Sequence, residues 1–157
     1  MGDYLISQEN FGKTYEEFLP LYVRHYSEMA DRMKSVGICV SPYNPRVDIY
    51  LDAAARGDLL HYTVREHEIP VGYANIFLTN DMHNHDLIAR EDTLFIHPLH
   101  RNGVGRRLSL FVLDDLRKRE VKRLSVTALT DLRVAKLWKR MGFKHTAHHM
   151  TFDFEAE

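Results

Sequence analysis

Hydrophobic positions change period several times along the chain, and each change marks an element. Residues 4–7 suit a short first strand. From Tyr15 to Lys34, Phe18, Leu21, Tyr22, His25, Met29 and Met33 recur every three or four residues, which predicts a helix. Thr14 is placed to cap it, with Glu16 and Glu17 favourably in its first turn. Pro42 and Pro45 then interrupt the pattern, and a second helix over 46–56 ends at Gly57. Residues 59–65 and 71–79 read as two strands of a hairpin turning over 66–70, followed by a polar loop over 80–86. Glu91 and Asp92 open a central strand that Pro98 stops. A helix over 104–119 places apolar residues at 108, 111, 112 and 116, and leaves Asp114, Asp115, Arg117, Lys118 and Arg119 on a solvated face. A strand over 124–129 follows. In the next helix Asp131 or Thr130 supplies the cap, Val134, Leu137, Trp138 and Met141 form one stripe, and Gly142 is the stop. A last strand over 145–154 alternates Met150, Phe152 and Phe154.

The passage between the central strand and the helix at 104 carries the chemistry. A strand, a short loop with Gly103 and Gly105, and a helix start present bare backbone N–H groups at the positive end of a helix dipole, which suits a phosphate. The glycines let backbone approach an anion without a Cβ in the way. Arg101, Arg106 and Arg107 add positive charge. No Lys-Ser or Lys-Thr follows the glycines, so the loop is not a P-loop. Position 108 is Leu where a dinucleotide fingerprint needs its third glycine, and the loop lies late in the chain.

Ile96-His97-Pro98 followed by Arg101-Asn102-Gly103-Val104-Gly105 resembles the pyrophosphate loop of the GNAT family of acyl-CoA-dependent N-acyltransferases. Downstream, Asp131-Leu132-Arg133-Val134-Ala135-Lys136-Leu137-Trp138-Lys139-Arg140-Met141-Gly142-Phe143 resembles that family's last helix. The leader containing His25-Tyr26-Ser27-Glu28, the prolines, Tyr50 and Gly57 is similar to a bacteriophage and prophage subgroup. The resemblance implies a mixed α/β fold: a central, mostly antiparallel sheet with a splayed central strand pair, flanked by about four helices. It implies acetyl-CoA as cofactor, cradled by His100, Arg101, Asn102, Gly103, Val104, Gly105 and Arg106. Backbone around Phe95, Ile96 and His97 would pair with the pantetheine arm, with Asp131 and Trp138 on the same ligand. The helical pair would overlie the acceptor, with His25, Glu28, Tyr50 and Tyr73 as its contacts.

Amine acylation needs a neutral amine, and an alkyl ammonium has a pKa of about 10.4. A carboxylate, directly or through a water, can take the proton as the amine attacks. Glu91 is the first choice, Asp92 the second, and His83 the third as base or relay. Strand alternation sends Glu91 and Asp92 to opposite faces, so one of them serves. Three departures from the family pattern stand out: His100 in place of Arg or Gln, Asp131 in place of Asn, and Trp138 where a Tyr usually protonates the leaving thiolate. With a thiol pKa of about 8.5, water can supply that proton. Tyr73 is the alternative donor. A degenerate member that binds CoA or a partner protein without turnover is the competing reading, and a different nucleotide-dependent enzyme is a third.

Composition narrows the class. The chain has 157 residues, 45% hydrophobic and 27% charged, which predicts one globular domain over 1–157. A formal net charge of −1 argues against a dedicated nucleic-acid binder. Cys39 stands alone, and Met1-Gly2-Asp3-Tyr4 opens no apolar leader, so a cytoplasmic protein is expected, in a host cytoplasm if phage-encoded. No apolar run is of membrane length. His83 and His85 are a weak zinc signal, and alternation splits His145, His148 and His149 between faces, so no metal is expected. The partner is an amine-bearing substrate, whether a small molecule, a protein amine or a modified nucleotide. The protein itself would be a monomer or homodimer.

Overall fold

A computed structural model describes residues 2–129 and 131–155. The chain divides into two compact units, Met1–Tyr22 with Pro45–Val126, and Val23–Asn44 with Thr127–Glu157.

The first unit holds a five-stranded sheet built from β1 (Tyr4–Glu9), β2 (Leu59–Glu66), β3 (Ile69–Asn80), β4 (Leu87–Ile96) and β5 (Arg123–Ser125), in that spatial order. The first four strands pair antiparallel, while β5 pairs parallel to β4. Helix α3 (Val104–Lys118) covers one face. Its Val104, Leu108, Val112 and Leu116 form one buried cluster with Leu60, Tyr62, Val64, Ala74, Ile76, Ala89 and Ile96. Period-two alternation turns the intervening strand residues the other way. There the start of α1 (Phe11–Ser35) lays Phe11, Phe18 and Tyr22 over His61 and Tyr73. Helix α2 (Val47–Arg56) sets Tyr50 against Phe11 and Phe77 on that same face.

Two irregularities shape β4. Its pairing with β5 covers only Ile88, Ala89 and Arg90, so the strand runs on to Ile96 without a β5 partner among the described residues. The open edge matches the splayed strand pair that the family resemblance implies. On the other side, Ile76 faces Glu91 but Asn75 faces Thr93, which leaves Asp92 as the extra residue of a β-bulge.

The β3–β4 approach is close at Gly72, which pairs with Ile96. A Cβ there would lie 2.5 Å from Ile96 Cδ1 and 2.9 Å from the Phe95 carbonyl oxygen. Gly72→Ala is therefore expected to lower stability by about 1–3 kcal/mol in urea unfolding, as overpacking does. A change within 0.5 kcal/mol would show that Ile96 moves aside freely.

In the second unit, α4 (Leu132–Arg140) is capped by Asp131, whose Oδ1 accepts the Arg133 N–H at 2.9 Å. Thr130, the other cap candidate, lies outside the described residues. Gly142 adopts φ +97°, as a helix stop requires.

Several expectations need correction. Helix α1 begins at Phe11, not Tyr15, because Asn10 Oδ1 accepts the Lys13 N–H at 3.0 Å and caps it earlier. Thr14 sits inside the helix, its hydroxyl donating to the Asn10 carbonyl at 2.9 Å. Asp115 is not merely solvated: it accepts the Tyr62 hydroxyl at 2.6 Å and pairs with Arg119 at 2.8 Å. Strand β5 stops at Ser125 rather than reaching 129. Residues 145–154 form no strand, and Met150, Phe152 and Phe154 are 90%, 78% and 91% exposed. Alternation marks a segment able to cover a sheet edge, but a strand exists only where a ladder is made.

Among the described residues, no helix is long and apolar enough to cross a membrane, and no group of three or more His, Cys, Asp or Glu is gathered to hold a metal.

Candidate functional site

Four parts of the first unit bear on chemistry, and the loop after β4 is the first. Pro98–His100 forms one 3-10 turn, and Gly103 caps α3 in the left-handed region at φ +97°. No side chain caps the helix, so its first-turn N–H groups are not taken by a side chain. A Cβ on Gly103 would meet nothing within 4 Å, whereas one on Gly105 would touch Ile96 Cγ1 at 3.7 Å. Gly103 thus keeps the space before the helix open, and Gly105 lets α3 lie close to β4. Arg106 and Arg107 are exposed on the first turn, as is Asn102 in the loop. The Val104 side chain is buried in the core, which leaves its backbone for a ligand. These residues fit a pyrophosphate: bare amides, a helix dipole and nearby guanidinium groups.

Two side chains of the loop are turned inward. The Tyr4 hydroxyl lies 3.0 Å from His100 Nδ1, and Glu66 Oε2 lies 3.6 Å from the same nitrogen. Arg101 folds back, its Nε donating to the Ile96 carbonyl at 2.8 Å while its guanidinium lies over the Phe95 ring.

The second part is the open edge of β4. The His97 N–H donates to the Val71 carbonyl at 2.8 Å, so His97 faces β3. Alternation turns the Ile96 backbone to the opposite, open side. Of Phe95, Ile96 and His97, Ile96 is therefore the one whose backbone looks toward an added strand. The Phe95 and Ile96 side chains are buried.

The third part is the bulge. The Tyr50 hydroxyl donates to Asp92 Oδ2 at 2.8 Å, which places Asp92 on the face covered by α1 and α2. Glu91 lies opposite Ile76, a member of the α3-side core, and directly opposed residues share a face. The two acids thus do point to opposite sides. Asp92 is open to solvent on one side, yet surrounding protein crowds it on the others. That desolvation pushes its carboxyl above the ordinary aspartate range, with Tyr50 and Thr93 pulling it partly back. His83 stands apart, in the turn beyond the end of the β3–β4 hairpin. Five residues of strand separate that end from Asp92, roughly 15 Å. Tyr73 is buried beneath Tyr22, with ring centroids 4.7 Å apart, so the structure gives it no surface.

The fourth part escapes sequence reasoning. His61 is buried, and its Nδ1 lies 2.6 Å from Asn75 Oδ1. Burial lowers its pKa from the usual histidine value. Glu9, His61, Asn75 and Thr93 are successive cross-strand partners, which forms a polar row ending beside Asp92. No local pattern marks such a row, because it exists only across four strands. Arg90, two residues before Asp92 and opposite Phe77, is likewise absent from the sequence candidates, although period two would have shown it.

The second unit carries the remaining candidates. Glu28 pairs with Arg32 at 3.9 Å, and Arg32 also reaches Asp131 at 3.9 Å. His25 lies three residues earlier on the same helix. Burial would raise the Asp131 carboxyl, but hydrogen bonds from Arg133 outweigh it and hold it below the ordinary range. Trp138 is buried against Phe143, and its Nε1 has no hydrogen-bond partner among the described residues.

Comparison with known proteins adds the family. Solved structures share the fold over nearly the whole chain. A ribosomal-protein-alanine N-acetyltransferase from Brucella melitensis biovar Abortus 2308 superposes with a TM-score of 0.72 at 16% identity, covering 97% of this chain and 98% of its own. An aminoglycoside acetyltransferase from an uncultured soil metagenomic sample gives 0.73 at 14%, covering 98% and 99%. An aminoglycoside N-acetyltransferase solved with CoA gives 0.69 at 14%, covering 99% and 97%. No curated protein matches the chain in sequence. The model of the acetyltransferase (GNAT) family matches residues 20–143, and the chain belongs to that family.

Proposed function

We propose that the protein is an acetyl-CoA-dependent N-acetyltransferase acting as one domain, with Asp92 as the proton acceptor. The observation that carries this is the Asp92–Tyr50 pair on the bulge of β4, with a bare α3 N-terminus behind Gly103 following the same strand. Of the three base candidates, Asp92 combines solvent access, a fixed partner and a raised pKa. That makes it the better choice over Glu91, which shares a face with the α3-side core.

When bound, acetyl-CoA supplies a thioester carbonyl whose C–S bond breaks as the amine nitrogen forms the amide bond, releasing a thiolate. Asp92 accepts the proton shed by the attacking nitrogen and returns it to solvent through its open side. Tyr50 holds the carboxylate oriented for that transfer. Backbone amides at 103–106, with Arg106 and Arg107, bind and neutralise the pyrophosphate. Ile96 offers its backbone N–H to the pantetheine arm, its carbonyl already accepting from Arg101 Nε. Trp138 has no acidic proton to stand in for the tyrosine that the family usually has at that position, so a departing thiolate would take its proton from water. The phage-type leader belongs to this reading through Tyr50.

Calorimetric titration with acetyl-CoA, against ATP and NADH, tests the cofactor, and thiol release on adding amines tests transfer. Selective acetyl-CoA binding with amine-dependent thiol release is expected. Binding without release under any amine would favour the non-catalytic reading that Trp138 and His100 suggest.

A further inference from the structure

We infer that the acceptor is an amine bearing its own carboxylate, an amino acid, held with its ammonium group at Asp92 and its carboxylate on Arg90. The inference rests on the acetyltransferase reading and names the substrate class of that same site.

Arg90 lies opposite Phe77 on β3, so it occupies the α1–α2 face. The Phe77 ring centroid is 5.7 Å from that of Tyr50, and the Tyr50 hydroxyl is 2.8 Å from Asp92. Arg90, Phe77, Tyr50 and Asp92 thus surround one patch within the first unit. The strand at Arg90 is fixed on both sides, by Phe77 of β3 and Ser125 of β5. The Arg90 side chain is exposed and makes no ion pair or hydrogen bond among the described residues. Several other arginines of this unit are paired: Arg65 with Glu9 and Glu17, Arg123 with Asp81 and Asp86, Arg119 with Asp115, and Arg56 with Asp58.

An arginine fork matches a carboxylate in a bidentate geometry, and an aspartate matches an ammonium. Two residues along a strand span about 7 Å, and the long Arg side chain can close that gap to a compact zwitterion. The Phe77 and Tyr50 rings flank an apolar side chain. A polycation is disfavoured here, since Arg90 would repel it. The nearby α2 carboxylates Asp48 and Asp52 are already paired with Arg46 and Arg56. A protein N-terminus has no free α-carboxylate.

The test compares the twenty amino acids with their amides and their decarboxylated amines, reading kcat/KM by thiol release with acetyl-CoA. At least one amino acid should exceed both its carboxylate-free counterparts by tenfold or more, chiefly through KM. Arg90→Gln should collapse that ratio toward one, and Arg90→Lys should keep part of it. Equal or better turnover of the carboxylate-free counterparts overturns the inference, as does an unchanged ratio in Arg90→Gln. Turnover of no amino acid, with acetyl-CoA bound, also overturns it while the cofactor reading stands. Failure to bind acetyl-CoA defeats the acetyltransferase reading itself. Should Arg90→Gln fail to fold, the wild-type ratios alone decide.

Discussion

Replacing Asp92 with Asn is expected to lower acetyl transfer roughly 10²-fold or more while leaving acetyl-CoA binding in place. Asparagine keeps the shape and can still accept from Tyr50 at its amide oxygen, so the bulge and its hydrogen bond persist. What it removes is the proton acceptor. Glu91→Gln is the comparison, because Glu91 lies opposite Ile76 on the other face, and it should change turnover only a few-fold. The pH profile separates a base from a structural residue. Desolvation raises the Asp92 pKa, so the ionised, active form is lost at a higher pH than for an ordinary aspartate. Rate should therefore rise with pH through an acid limb lying above the usual aspartate range. Tyr50 donates to the ionised carboxylate and lowers that pKa. Removing the donor in Tyr50→Phe should raise the pKa and move the limb to higher pH. In Asp92→Asn the limb should disappear. Unchanged turnover in Asp92→Asn, or a larger loss in Glu91→Gln, would return the role to Glu91.

The parts of this site that the sequence shows are those set by local chemistry. Gly103 reads as a left-handed position before a helix because only glycine is at ease there, and it has φ +97°. Pro98 ends a strand wherever it stands, and Asp131 caps a helix by its own short side chain. The bulge is different. Nothing in Leu87–Ile96 signals the extra residue, which exists only because β4 carries Glu91, Asp92 and Thr93 where β3 passes directly from Ile76 to Asn75. Without it, Glu91 and Asp92 are two equivalent acids on opposite faces; with it, Asp92 stands out and meets Tyr50 from a helix 42 residues earlier. Tyr73 shows the same limit in reverse. Its hydroxyl marks it as a candidate acid, but the aromatic layer of α1 buries it. At the N-cap of α1 both Asn10 and Thr14 are good cappers, and only the packing of Thr14 into the core decides between them. The alternation at 145–154 predicts a strand that does not form, since a period-two pattern cannot supply its own pairing partner.

Substitutions at the two loop glycines should have unequal effects, and the inequality follows from where each Cβ would point. Gly103→Val places a branched side chain at φ +97°, a backbone region that disfavours L-residues by about 1–2 kcal/mol. Its side chain would extend into space where nothing lies within 4 Å, in front of the amides at the α3 N-terminus. Acetyl-CoA would lose charge-assisted contacts there. At about 1.5–3 kcal/mol for each hydrogen bond to a charged group, one lost contact corresponds to roughly a ten- to hundred-fold weaker Kd. Gly105→Ala should behave differently. Gly105 carries no positive φ, and its Cβ would rest against Ile96 Cγ1 at 3.7 Å, an ordinary contact. Affinity and stability should both stay close to wild type. Gly105→Leu, however, would wedge α3 away from Ile96 and lose stability and binding together. Calorimetry with acetyl-CoA beside urea unfolding resolves the three cases, because only Gly103→Val should lose tenfold or more in affinity while its stability falls by no more than about 1–2 kcal/mol. Equal loss of affinity in Gly103→Val and Gly105→Ala would mean that both glycines face the ligand. No loss in either would take the pyrophosphate away from this helix altogether.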